Sequence, residues 1–207
     1  MGQVNLPTNI LDTIRQMQRD IDAIRKRAGL GNATVSAGDL TIQEGIELAR
    51  EALPDRASAD WRTRLTVTAR SVRTSYLARP ALAVLAAART TASPAETDSV
   101  EELISVLHEA GLPVIEAAEA YRALLDMTLA MTQYTAAFSI LDRSTQEKDE
   151  AAWALKYGML PAEEYPMLHR SAPRLTELFR DDDGVFELVL ATFLDGLAVR
   201  IDAARKA

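Results

Sequence analysis

The sequence predicts an all-α protein, and three observations predict it. A stretch of about thirty residues, Gly111 to Leu141, holds no helix breaker after Pro113. Nearly every other segment repeats its apolar residues at helical spacing. The prolines and glycines fall mostly between those segments, where breakers belong. With 207 residues, 48% hydrophobic and 26% charged, the chain has the composition of an ordinary globular protein with one sizeable core or two small ones.

The first element is set apart. After Leu6-Pro7-Thr8, Ile10, Ile14, Met17, Ile21, Ile24 and Ala28 follow at alternating spacings of four and three. That is a heptad seam, with Ile10, Met17 and Ile24 at d and Ile14, Ile21 and Ala28 at a. Thr8 or Asn9 caps it, and Asp20 and Arg25 have the signs for an interchain pair. Residues 29–43 read as a Gly-rich loop with a short strand pair around Thr34-Val35 and Asp39–Ile42. These divide the chain into residues 1–43, a helix plus loop, and residues 44–207, a helical domain.

In that domain Glu44 to Leu53 is a short helix stopped by Pro54. Asp60 caps a helix running to Ala78, with Trp61, Leu65, Ala69, Val72 and Tyr76 on one face. Pro80 starts a small helix to Ala88, and Thr90 to Thr97 is a loop. Glu96 or Ser99 opens a helix ended by Gly111, with Val100, Leu103, Ile104 and Leu107 inward. The long helix follows, with Pro113 in its first turn and Glu116 and Glu119 near its positive end. From Met127 to Leu141 it carries no charge, so it is expected to be covered on every side. One stripe is Tyr121, Leu124, Leu125, Thr128, Leu129 and Thr132; a second is Met127, Met131, Tyr134, Phe138 and Leu141. One small domain covers one stripe, and the other calls for a second subunit or a ligand cavity. Asp142 to Gly158 is polar, with Trp153, Leu155 and Tyr157 as anchors. Leu160 to Pro166 begins a short helix to about Ser171. Asp181-Asp182-Asp183-Gly184 introduces the last helix, Val185 to about Ala204, lined by Phe186, Val189, Leu190, Phe193, Leu197 and Ile201. Gly196 removes a side chain and admits a neighbouring helix.

Residues 1–43 resemble the opening of tail-fibre-type proteins of actinobacterial phages, through LPTNILDTIRQMQRDIDAIRKRAG and ATVSAGDLTI. From about Ile46 the chain resembles the C-terminal regulatory domain of TetR-family transcriptional regulators. The resemblance rests on Ala59–Leu65, Ala78-Arg79-Pro80, Leu107–Pro113, Glu119–Leu124, Leu160–Pro166, and Phe186-Glu187-Leu188 with Leu194–Leu197, in matching order over some 150 residues. It implies a helical bundle that dimerises through its long and last helices, encloses a small-molecule cavity, and catalyses nothing. The implied partners are a second copy and a small apolar effector. Candidate effector contacts are Tyr76, Met127, Met131, Tyr134, Phe138, Trp153 and Tyr157. Candidate dimer contacts are Tyr121, Leu125, Thr128, Leu129, Thr132, Phe186, Val189, Phe193, Gly196 and Leu197.

The chain departs from the family at the front, where a three-helix DNA-binding unit is expected. No aromatic residue precedes Trp61 and no histidine precedes His108. Residues 1–43 hold five basic and four acidic residues, a net +1, far from the positive charge that reads a phosphate backbone. The expectation is a repressor-type sensing domain whose DNA-binding head is missing or replaced. The alternative is a binding or assembly module carried on the N-terminal coil.

Other constellations offer little chemistry. Arg56, Arg62, Arg64, Arg70, Arg73, Arg79 and Arg89 face a single acid, Asp60, over residues 56–89, which reads as a solvated face balanced by acids elsewhere. His108 and His169 have no second ligand at helical spacing, and Asp181–Asp183 read as an N-cap rather than a calcium loop. No cofactor motif, Gly-rich phosphate loop or Ser/His/acid pattern appears. The absence of cysteine agrees with a reducing cytoplasm, and no stretch is long and apolar enough for a membrane span.

Overall fold

The computed structural model describes residues 48, 51–52, 59–80, 83–84 and 94–206. The N-terminal heptad helix, the strand pair, the short helix from Glu44 and most of the helix from Pro80 lie outside the described residues. Six helices are bounded within them: α1 Trp61–Leu77, α2 Pro94–Glu109, α3 Val114–Ser139, α4 Arg143–Gly158, α5 Pro166–Phe179 and α6 Asp182–Ala204. No strand occurs among the described residues.

The helix ends follow from local chemistry. The Thr63 amide donates to the Asp60 carboxylate at 3.0 Å, which caps α1. α2 begins at Pro94, earlier than expected, because proline fits a first turn whose N–H would have no partner. It ends at Glu109, and Gly111 follows with φ at +121°. The Gly111 N–H bonds the His108 carbonyl at 2.9 Å, and the Leu112 N–H bonds that of Leu107 at 3.2 Å. This is the Schellman arrangement, and Leu107 and Leu112 are both buried beneath it.

The long helix is 26 residues rather than the expected thirty or so, about 39 Å. Pro113 is its N-cap residue, one position before the first turn. At the other end the Gln146 side-chain amide donates to the carbonyls of Phe138, Ser139 and Leu141 at 3.2, 3.3 and 3.0 Å. Those are among the acceptors a helix end leaves open. Asp142 then caps α4, accepting from the Thr145 N–H at 3.1 Å.

α5 differs from expectation at both ends. Leu160–Tyr165 is a turn, and the helix runs from Pro166 to Phe179 with Pro173 inside it. The breaker is tolerated there, although it removes one helical N–H donor. α6 begins at Asp182, capped by the Asp181 carboxylate, which accepts from the Gly184 N–H at 2.8 Å.

α3 is the axis of the bundle. It packs against α1, α2 and α6; α4 pairs with α5, and α5 touches α6. The main core joins Leu65 and Ala69 of α1, Leu103 and Leu107 of α2, Leu124 of α3, and Phe186, Leu190, Leu194, Leu197 and Ile201 of α6. The inward stripe of α3 is Ala117, Ala120, Leu124, Thr128, Thr132 and Ala136. Its small side chains allow close packing. The two buried hydroxyls are satisfied within the helix, Thr128 on the Leu124 carbonyl at 2.8 Å and Thr132 on that of Thr128 at 2.6 Å. A second cluster holds Val72, Tyr76, Ala83 and Ala136.

The arginine row of α1 finds its acids on the last helix. Arg62 pairs with Asp195, Arg70 with Glu187 through two bonds of 2.7 and 2.6 Å, and Arg73 with Asp183 at 2.8 Å. The two helices therefore run antiparallel, joined across their flanks by long side chains.

Candidate functional site

The candidate site is a cleft where the second half of α3 meets the end of α5 and the start of α6. Tyr134 and Phe138 come from α3, Leu175, Leu178 and Phe179 from α5, and Asp182 and Val185 from α6. Its volume is about 250 Å³. The spacing of Tyr134 and Phe138 places them one above the other on one helix face. Leu175, Leu178 and Phe179 are the last turn of α5. The two-residue link from Phe179 to Asp182 brings the first turn of α6 alongside.

The Phe138 and Phe179 rings meet edge to face, with centroids 5.9 Å apart and planes at 79°. That geometry is favourable and fixes one wall. Tyr134 is 63% exposed, so its ring borders the open side. Asp182 is the one ionised group in a lining that is otherwise aliphatic and aromatic. On the other side of the same α6 turn, Arg73 is buried, only 5% exposed. Its guanidinium lies 4.8 Å from the Phe186 ring centroid and also reaches the Thr135 hydroxyl at 3.4 Å. The first turn of α6 thus faces the cleft with Asp182 and Val185 and grips α1 with Asp183 and Phe186.

Of the residues expected to form a cavity, Tyr134 and Phe138 line the cleft. Met127 and Met131 pack against the main core, and Tyr76 is buried in the second cluster. The side chains of Trp153 and Tyr157 lie outside the described residues. Leu175, Leu178, Phe179, Asp182 and Val185 were not anticipated. Leu175, Leu178 and Phe179 lie past Ser171, where that helix was expected to stop, and Asp182 and Val185 were read only as the start of the last helix.

The residues expected at a dimer interface divide three ways. Thr128, Thr132, Phe186 and Leu197 are buried inside the chain itself, so they present no surface to a partner. The stripe expected to meet a second copy is occupied by the chain's own core, because α1 and α6 pack against it. Tyr121, Leu125, Leu129, Val189 and Phe193 are half-buried, and Gly196 is exposed with nothing within 4 Å of where a Cβ would stand. Gly196 therefore admits no helix of its own chain. Within one chain the second stripe is left partly open, since Tyr134 and Leu141 are exposed.

Among the described residues no three His, Asp or Glu side chains are grouped to hold a metal, and no helix is long and apolar enough to cross a membrane. Residues 53–201 match the model of the tetracyclin repressor-like, C-terminal domain family, and the chain belongs to that family. Its members are transcriptional regulators, not enzymes. Among solved structures the chain is similar to apo ActR from Streptomyces coelicolor, at 23% identity and TM-score 0.68, over 83% of this chain and 75% of that one. It is similar to a possible TetR family transcriptional regulator from Streptomyces coelicolor A3(2), at 26% identity and TM-score 0.62, over 79% and 76%. It is also similar to ActR solved in complex with actinorhodin, at 23% identity and TM-score 0.63, over 86% and 85%. Among curated proteins none matches the sequence.

Proposed function

We propose that this chain is a transcriptional repressor whose helical domain works as a homodimer and binds a small, largely apolar effector in the cleft between α3, α5 and α6. The observation that carries this reading is the cleft itself, an apolar recess with two packed aromatic rings in a family of regulators. Such recesses with one polar group are the usual form of small-molecule sites. The relative ActR has been solved with actinorhodin and with (S)-DNPA, which supports small-molecule binding by this fold. The α6 turn supplies a route for the signal. A ligand that displaces Val185 pushes the turn that holds Arg73, and Arg73 belongs to α1, the first bounded helix of the chain. A ligand shifts such an equilibrium only by binding one position of that turn better than the other.

The test uses N-phenyl-1-naphthylamine, an uncharged probe that fluoresces in apolar sites. It should bind saturably, one per chain, and Leu175→Trp, which fills the cleft, should abolish the signal while the helical circular dichroism persists. Undiminished binding by that variant refutes the cleft as the effector site.

The weak charge of residues 1–43 supports a chain in which the family's DNA-binding head is missing or replaced. The same observation favours a second reading, an assembly module without DNA affinity. Retention of duplex DNA in a gel shift at low salt would exclude that second reading, and its absence would remove the repressor role.

A further inference from the structure

We infer that the cleft selects a positively charged ligand, an organic cation with an apolar body, such as an aromatic amine or a quaternary ammonium compound. The inference rests on the cleft being the effector site and goes further, to the charge of what fills it. Among the described residues Asp182 is the only carboxylate in the lining, and no Lys, Arg or His shares it. Arg180, two residues before Asp182, and Arg73, which reaches the same turn, are engaged elsewhere. Arg180 points to Glu150 at 3.5 Å, and Arg73 to Asp183 on the far side of the turn. Asp182 itself has no ion pair and accepts no side-chain hydrogen bond among the described residues, in contrast to Asp181 and Asp183 beside it. The dipole of α6 places a partial positive charge near it, about half an elementary charge and shared over the whole first turn. A full negative charge is therefore left under-compensated at the edge of an apolar recess.

The aromatic rings act in the same direction. Tyr134, Phe138 and Phe179 present π systems to the cleft, and the face of such a ring attracts a cation. A carboxylate or sulfonate ligand would lose its hydration, meet Asp182 at close range and find no donor among the lining side chains except the Tyr134 hydroxyl. A cation of matching size exchanges its water for three rings and a carboxylate. With a volume of about 250 Å³, the cleft holds one ring and a short charged arm.

Three probes of one shape test this on the full chain: phenethyltrimethylammonium, its uncharged isostere (3,3-dimethylbutyl)benzene, and 4-phenylbutanoate. Binding is read from the methyl NMR signals of Leu175, Leu178 and Val185. The cation should bind at least about fivefold more tightly than the uncharged isostere, as expected for one partly exposed ion pair with cation–π support, and the carboxylate weakest of all. Asp182→Asn should shrink the preference to what the rings alone give and leave the uncharged probe unchanged. Asp182→Ser, which suits a helix start, should do the same if the amide perturbs α6. Equal binding of cation and carboxylate, or a preference undiminished by both substitutions, overturns the inference and leaves an apolar effector site standing. If none of the three moves those methyl signals, the cleft is not the effector site and both readings fall.

Discussion

Arg73 is held on several sides, by Phe186, Asp183 and Thr135. It is buried, stacked on Phe186, and paired with an Asp183 whose side chain is 86% exposed. The two partners should therefore differ in cost. Arg73→Ala removes a packed guanidinium and its stem and should destabilise the domain by roughly 2–3 kcal/mol. Asp183→Ala removes a water-exposed charge and should cost less than about 1 kcal/mol. Urea unfolding followed at 222 nm separates them, and equal losses would show that the ion pair rather than the packing holds Arg73. Asp142 gives a pH signature. The Ser144 hydroxyl, then the Thr145 hydroxyl and N–H, donate to its carboxylate and hold its pKa at about 2, below the ordinary 3.8. The folded value is the lower one, so its contribution is complete above pH 3.8 and disappears as pH falls through about 2. Asp60 is shifted the same way, chiefly by the Thr63 N–H. A carbon-detected NMR titration should find Asp142 ionised down to about pH 2, and a midpoint at the ordinary 3.8 would remove the capping geometry.

At the scale of elements, the corner between α2 and α3 depends on one residue. Gly111 has φ at +121°, and a Cβ there would stand 2.9 Å from the Arg205 side chain. Gly111→Ala should cost about 1–2 kcal/mol, mostly backbone strain because the arginine can swing aside. A thermal melt measures it, and an unchanged midpoint would mean the corner relaxes into another turn. This corner was legible in the sequence because glycine before Leu-Pro after an amphipathic run is local information. So were the Asp60 cap and the inward face of α1. The ends of α5 were not. Pro166 and Pro173 both read as breakers, and only packing against α4 and α6 keeps the helix intact past the second. The same limit hid most of the cleft. Tyr134 and Phe138 stood out because the run around them is uncharged, but periodicity gives a face and not its neighbour. Met127 and Met131 lie on the same stripe as Tyr134 and Phe138, but nearer the start of the helix, where they pack against the main core and not the cleft. Leu175, Phe179 and Asp182 join the site through a link between two helices whose mutual placement is tertiary.

For the whole molecule, the burial of Phe186 and Leu197 inside the chain has one cause. α6 is apolar nearly all round, and the sequence does not say which side faces its own core. The inward side is Phe186, Leu190, Leu194, Leu197 and Ile201. The opposite side carries Leu188, Thr192, Gly196 and Val199, with Leu188 58% and Val199 70% exposed. If two copies join through that outer stripe, Gly196 lets their backbones approach. Sedimentation velocity should then show a dimer, and Leu188→Glu with Val199→Glu should yield monomers with undiminished helicity. A dimer that survives both charges would place the contact elsewhere.

The three arginine pairs between α1 and α6 have a mechanical meaning. Eight residues from Arg62 to Arg70 match eight from Asp195 back to Glu187, and three more to Arg73 match four back to Asp183. The pairs mesh like teeth on a rack. Sliding α1 by one turn in either direction leaves at most one tooth engaged, whereas a small tilt keeps all three. A push delivered through α6 would therefore reach α1 as a change of angle rather than of height.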